Sequence, residues 1–453
     1  LLCAAIALAV FGCAQAPLNP PLKVFDPTAG YRLEGCRTAA NSEELFVVVS
    51  LSGGGTRAAA LAYAVMEQLR NTTIRIDGEE RCLLEEVDVI SAVSGGTFPA
   101  AYYALFGDEI FSQFEERFLN RDTERELLKR ALAPHNVLRL ASPAFGRSDL
   151  AAEYYDEVLF RGRTFGDLQR RDDAPFLIIG ATDMSTGSLF RFTQDQFDLL
   201  YSDLSEVSVG RAAAASSAFP FLLTPMAFAN YADRPGFREP AWIAQALANP
   251  DASPRRRKRA LEARSYLQAE GRLYTHLLDG GLADNLALQP LLDLLTGANS
   301  SCDVPELVDL GKVKTIVTIV VNAQVRPDSE WDRDRATPGA LSVLTASVGS
   351  PIANCTARSL EHLNEQAERF RRDGVAFHVV EIDFSRIEDS TWREALNRLP
   401  TRFRLGEEEV ASVREAGAWL LQRSDGFRDL LRNWDGKLLP RPAGGPPLLL
   451  ATR

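Results

Sequence analysis

Three short stretches carry residues whose types and spacing suit nucleophilic chemistry. Ser94 stands in Ala92-Val93-Ser94-Gly95-Gly96, between an apolar strand-like run and a helix-like run. A serine on such a strand-to-helix turn lifts its hydroxyl into the crevice at the carboxyl end of a sheet. The usual form is Gly-x-Ser-x-Gly; here Ala92, the smallest residue after glycine, takes the first position. Gly53-Gly54-Gly55, in SLSGGGTR, lies between another strand-like run and a helix-like run. Its backbone N–H groups at a helix N-terminus would stabilise a developing negative charge. The spacing matches neither Gly-x4-Gly-Lys-[Ser/Thr] nor Gly-x-Gly-x-x-Gly, which weighs against a phosphate loop; close helix–strand packing uses such glycines as well. Asp279, in LLDGGLADN, ends an apolar run and precedes two glycines. A carboxylate there can take the proton of a nearby serine, or simply cap the turn.

These residues need elements to hold them. LFVVVSLS (45–52) is β-branched and apolar without alternation, as in a strand buried on both faces. TRAAALAYAVMEQLR (56–70) reads as the helix that follows it. VDVISAV (87–93) is a second such strand, leading through Ser94 into a small-residue helix, 95–106. PFLIIGATDM (175–184), FRFTQ (190–194), YTHLLDGG (274–281), VKTIVTIVVN (313–322) and VAFHVVEIDF (375–384) are further strands. GRAAAASSAF (210–219), ALQPLLDLL (287–295) and GEEEVASVREAGAWLLQR (406–423) read as helices, the last with acids in its first turn, as the helix dipole favours. Strands separated by helices predict a parallel sheet covered on both faces. No linker divides residues 45–425, so one domain is expected there, with helical insertions near 107–170 and 240–270.

In order and separation these motifs resemble the patatin-like phospholipase family, over roughly residues 45–425. Gly53-Gly54-Gly55-Thr56-Arg57 is similar to its glycine-rich oxyanion loop, Ala92–Gly96 to its nucleophile motif, and Asp279-Gly280-Gly281 to its Asp-Gly-Gly/Ala motif. AAAASSAFPFLLTPM (212–226) and LPTRFRLGEEEVASVREAGAWLL (399–421) resemble further segments of bacterial members. The resemblance implies an α/β fold, a three-layer α/β/α sandwich with a mainly parallel central sheet. It implies a Ser–Asp dyad without histidine: Ser94 attacks an ester carbonyl, Asp279 is the general base, and N–H groups of Gly53, Gly54 and Gly55 hold the oxyanion. Arg57 supports that loop, and no cofactor or metal is required. Phospholipid or lysophospholipid is the implied substrate. The chain departs from the family at Ala92, at Ser52, where many members have an acid, and at Ala58, where many have glycine.

Two other classes stay open. A Ser–His–Asp hydrolase would need one of His135, His276, His362 or His378. His276 precedes Asp279 by three residues, so strand alternation points the two to opposite faces. His378 lies inside a strand, and SLEHLNEQAERF (359–370) reads as a charged helix face with His362 in solvent. The second class is a non-catalytic scaffold, for which Ala92 is the main argument. An acyltransferase uses the same acyl-enzyme with an alcohol in place of water.

The 453 residues carry a net charge of −11, which argues against a nucleic-acid partner. The first residues, LLCAAIALAVFGC, are too short an apolar run for a membrane span and suit a secretory signal remnant, 1–13. Val10-Phe11-Gly12-Cys13 resembles a lipobox, with Phe11 where a small residue is usual; the alternative is a plain signal peptide cut elsewhere. Lipidation at Cys13 would tie the protein to a membrane of the bacterial cell envelope, facing the periplasm. Residues 14–44 are expected to be a tether and lead-in, and 426–453 a C-terminal tail, loose over its Pro/Gly-rich part, 438–453. Cys36, Cys82, Cys302 and Cys355 are open to oxidation in an exported protein. The cluster Arg255–Arg259 either touches anionic head groups or forms a solvated face, the commoner case.

Overall fold

The computed structural model describes residues 16–33, 41–220, 222–268, 271–296, 312–325, 335 and 337–438. The expected signal remnant, Cys13, Cys36 and Cys302 lie outside these residues, and Cys82 and Cys355 are free thiols.

Eleven strands are present among the described residues: β1 (Leu45–Leu51), β2 (Thr72–Ile76), β3 (Glu79–Cys82), β4 (Val87–Val93), β5 (Phe176–Asp183), β6 (Leu189–Arg191), β7 (Met226–Ala229), β8 (Tyr274–Leu278), β9 (Thr315–Asn322), β10 (Ala376–Asp383) and β11 (Lys437–Leu438). The main sheet runs β10-β9-β1-β4-β5-β8-β7, with β6 beside β5. The strands from β10 to β5 are mutually parallel. Every residue of β1, β4, β5 and β9 is buried, as their unbroken apolar runs predict. The ladders of β6, β8 and β7 are antiparallel.

The helices that position the site are α1 (Gly55–Arg70), α2 (Thr97–Phe106), α3 (Val209–Ser216), α4 (Ala241–Ala248), α5 (Pro254–Tyr266), α6 (Gly281–Asp284), α7 (Gln289–Leu295), α8 (Ala340–Arg372), α9 (Glu407–Arg423) and α10 (Asp425–Asn433). With this strand order, the right-handed crossover that parallel strands favour places α1 and α2 on one face of the sheet and α8, which joins β9 to β10, on the other. The alanine-rich α1 packs closely on α9, while α6 and α7 pack on α8. These are the two outer layers of the expected sandwich. The chain leaves β1 toward β4 and later returns to place β9 on the other side of β1. A crevice opens at the strand ends of such a switch point.

Three expectations change. Residues 16–33 are irregular but docked, not a free tether. Asn19 bonds Ser202 and both backbone groups of Ala229, and Arg32 is buried between Asp195 and Asp198. The C-terminal tail is structured up to residue 438, with α10 and with β11, which pairs with β2; the rest of its expected loose part, 439–453, lies outside the described residues. β2 and β3 form a hairpin that pattern reading overlooks. Its signal is Asp77-Gly78, both at positive φ (52° and 85°), as a tight hairpin turn requires.

Candidate active site

The β4 strand delivers Val93 level with Gly180 of β5, and the chain then turns sharply. Ser94 takes up that turn at φ 50°, a left-handed conformation costly for a residue with a side chain. Its backbone N–H donates to Ser216 Oγ (2.8 Å) at the end of α3, and Ser216 Oγ donates to Gly180 O (2.6 Å). Ser216, at the end of the alanine helix, thus fastens the elbow to β5. Gly95 must be glycine: a Cβ there would sit 2.2 Å from Gly55 O and 2.7 Å from Gly55 N. The elbow and the glycine loop therefore meet backbone to backbone. Ala92 is fully buried in register with Leu51 and Ile179, and its methyl belongs to the hydrophobic core. The missing glycine is absorbed by packing.

Asp279 reaches Ser94 through strand register. Leu278 of β8 pairs with Thr182 and Val93 of β4 with Gly180, so one residue further along, Asp279 and Ser94 both stand level with Ala181. They flank β5, two strand spacings or about 10 Å apart in the plane of the sheet. Both chains leave the sheet at that point, and Ser94 Oγ donates to Asp279 Oδ2 at 2.8 Å. Asp279 Oδ1 accepts from the Gly281 N–H (2.8 Å). Its backbone N–H goes to Ala218 O (3.0 Å), and its carbonyl accepts from Thr182 Oγ1 (2.7 Å). Burial pushes the Asp279 carboxyl up to about 6, against the opposing pull of the bonds from Ser94 and Gly281.

The glycine loop lies above this pair. Of its three expected oxyanion donors, Gly53 is corrected: its N–H already donates to Asn285 O (3.1 Å). Among the described residues neither Gly54 nor Gly55 N–H has an acceptor, and both sit at the N-terminus of the long helix α1. Gly55 (φ 63°) is glycine also because a Cβ would lie 2.3 Å from Arg402 O. The Thr56 N–H donates to that same carbonyl (2.8 Å). Arg57 is 2% exposed and touches no carboxylate among the described residues. It donates to Ala323 O (3.0 Å), Leu399 O (2.5 Å) and Thr401 Oγ1 (3.0 Å). It therefore ties the loop after β1 to the end of β9 and to residues 399–401. Ser52 Oγ accepts from the Ala323 N–H (2.8 Å), which ties the same two strand ends together.

The family model of patatin-like phospholipases matches residues 49–292, more than half of the chain. The chain belongs to the patatin-like phospholipase family. Among solved structures, the human GIVD cytosolic phospholipase A2 is similar at 13% identity, with a TM-score of 0.40, over 87% of this chain and 60% of that one. Its complex with methyl gamma-linolenyl fluorophosphonate and terbium chloride gives 12% identity and a TM-score of 0.36, over 87% and 59%. VipD from Legionella pneumophila gives 12% identity and a TM-score of 0.30, over 94% and 72%. The chain thus spans 60% of the length of the human enzyme. No curated protein matches it in sequence.

In this patatin-like chain Ser94, Asp279 and the glycine loop floor a crevice of about 770 Å³. Its walls are mostly apolar: Phe219 and Leu222 from the segment after α3, Val325 after β9, Val348 and Ile352 on α8, and Phe403. None of the four histidines lines it. His276 is exposed on β8, His362 is half-exposed beside Glu365 (3.2 Å), and His135 is exposed. His378 is half-buried against Asn433 (3.3 Å), its imidazole held below its usual pKa chiefly by burial. Pattern reading missed two polar residues here. Ser216 was visible only as a serine pair in an alanine helix. Asn285 contributes its carbonyl to Gly53 and lines the crevice; its one signal was its place six residues after Asp279.

Proposed function

We propose that the protein cleaves carboxylic esters of phospholipids or lysophospholipids through an acyl-serine at Ser94. Asp279 Oδ2 accepts the Ser94 proton as Oγ attacks the ester carbonyl carbon. The carbonyl oxygen takes the negative charge and is held by the N–H groups of Gly54 and Gly55, assisted by the dipole of α1. Collapse breaks the carbon–oxygen bond, and the protonated Asp279 returns its proton to the leaving alcohol. Water then attacks the acyl-serine, gives its proton to Asp279, and the second collapse releases the fatty acid and restores Ser94. Apolar walls suit an acyl chain. The reading is carried by one observation: the hydroxyl–carboxylate hydrogen bond at the crevice floor, with no histidine beside it.

A panel of phospholipid, lysophospholipid and neutral esters tests this against wild type, Ser94→Ala and Asp279→Asn. Each variant should lose more than about 1,000-fold in turnover. Exchanging His276, His362 or His378 should leave turnover intact, and a fluorophosphonate probe should label Ser94. Full turnover by Asp279→Asn would end the dyad reading. Export and lipid anchoring through Cys13 are part of the same proposal. They are tested by palmitate labelling of the full-length protein, which Cys13→Ser should abolish.

A further inference from the structure

The basic cluster Arg255–Arg259 is not a plain solvated face, because two of its members turn inward. Arg255 pairs with Asp293 of α7, which also pairs with Arg191 of β6. Arg259 donates to Gln196 Oε1 (2.9 Å), a neutral group, and its Nε is buried with no acceptor. Both line a cavity of about 630 Å³ between α5, α7 and α8, which Arg358 enters from α8.

The charges in this cavity do not balance. Among the described residues five cations line it (Arg191, Arg255, Lys258, Arg259 and Arg358) against two carboxylates, Asp293 and Glu262. Asp293 is shared by two guanidinium groups, and Glu262 faces Lys258 at 3.5 Å. Arg358 is exposed and makes no ion pair or hydrogen bond among the described residues. This surplus sits on a chain whose net charge is −11, so it is local and not an overflow of basic residues. Burial lowers the Arg259 guanidinium to about 10, and Arg191 beside it adds to that against the opposing pull of Asp293 and Glu262, since a buried cation with too little counter-charge is costly. An anion of more than one charge would relieve this, and guanidinium forks match phosphate oxygens. The cavity has room for a phosphate with an organic group attached.

We propose that this cavity binds a phosphate-bearing anion, held chiefly by Arg259 and Arg358. The site is separate from the catalytic crevice but shares α8 with it: Ile352 faces the crevice and Cys355, one turn on, faces the cavity. The inference does not depend on the chemistry at Ser94. The phosphate belongs either to a lipid headgroup or to a free phosphate ester.

Thermal unfolding of the full chain in phosphate, in glycerol 3-phosphate and in sodium chloride of matched ionic strength tests the binding. Phosphate should raise Tm with the logarithm of its concentration, and chloride should not. Arg358→Gln, at an exposed position, should weaken the apparent affinity about tenfold, the loss of one charge-assisted bond. Arg259→Met should abolish the shift while leaving Tm in chloride unchanged or higher; a merely structural arginine would lower it. Flotation of Ser94→Ala protein with phosphatidylcholine vesicles, with and without phosphatidic acid, separates the sources. Retention by phosphatidic acid that Arg358→Gln removes assigns a headgroup. A phosphate shift without retention assigns a free ester. No phosphate-specific shift and no retention, or effects that persist in both arginine variants, would overturn the proposal.

Discussion

The catalytic crevice and the basic cavity lie on either side of one turn of α8, and each contains a buried carboxylate and a buried arginine. Asp279 faces a hydroxyl and a backbone N–H, so burial raises it to about 6. Burial also pushes Asp293 up, but Arg191, Arg255 and Arg259 together bring it below its usual value. Among the described residues Arg57 and Arg259 lack carboxylate partners in contact, and burial lowers both to about 10. Arg57 spends its donors on three oxygens, whereas Arg259 has one neutral acceptor and an idle Nε. Burial alone therefore does not distinguish a base from a counter-ion, or a strut from a binding group. The neighbours do.

The comparison breaks hardest at the carboxylates. Asp279→Asn should cost more than about 1,000-fold in turnover with little change in Tm. Asp293→Asn should keep turnover within about threefold and lose about 3 kcal/mol of stability, because it strips the counter-charge from buried guanidinium groups. Kinetics and denaturant titration of both variants decide this, and equal kinetic losses would erase the distinction.

The pH dependence separates them next. Asp279 works only when deprotonated and has a raised pKa, so kcat/KM should fall about tenfold per pH unit below about 6 and be level above it. Asp293 has a lowered pKa. Its contribution to stability is present above the usual carboxylate range and is lost only as pH falls through that lower value. Activity should thus be down about tenfold near pH 5 while near-ultraviolet circular dichroism still reports native packing. Simultaneous loss of both signals would refute the separation.

The arginines differ by less. Arg57→Met leaves three acceptors at the loop unsatisfied and should cost about 2–3 kcal/mol and most of the activity. Arg57→Lys should recover only part, since one ammonium does not span Ala323, Leu399 and Thr401. The smallest effect belongs to Ala92→Gly. Its methyl is core, so turnover should change less than about twofold, and stability should drop about 1 kcal/mol through chain entropy. A large gain in turnover would mean that the methyl reaches the crevice after all.

Much of the catalytic crevice was legible because its parts are contiguous. Gly53–Gly55 and Ser94–Gly96 are local turns whose backbone geometry demands small residues at adjacent positions, so the demand is written in a few letters. The strands β1, β4, β5 and β9 were legible for a similar reason: burial on both faces leaves an unbroken apolar run. The antiparallel placement of β8 was not, since a run such as YTHLL has no direction relative to β5. The basic cavity was illegible as a cavity. Its charges come from β6, α5, α7 and α8, and RRRKR looks the same whether two of its members point inward or all five face solvent.

The sequence by itself determined which residues have the means for the chemistry, because a hydroxyl at an elbow, glycines at a helix start and an acid before Gly-Gly are local choices. Only the tertiary structure decided which of them meet. Strand register put Asp279 level with Ser94, Asn285 withdrew the Gly53 N–H from the loop's free donors, and packing sent the Ala92 methyl into the core. These outcomes depend on contacts between segments more than a hundred residues apart in the chain, apart from Ala92, whose partners on either side are Leu51 and Ile179. Proximity of that kind is set by the sheet as a whole and by no stretch of it.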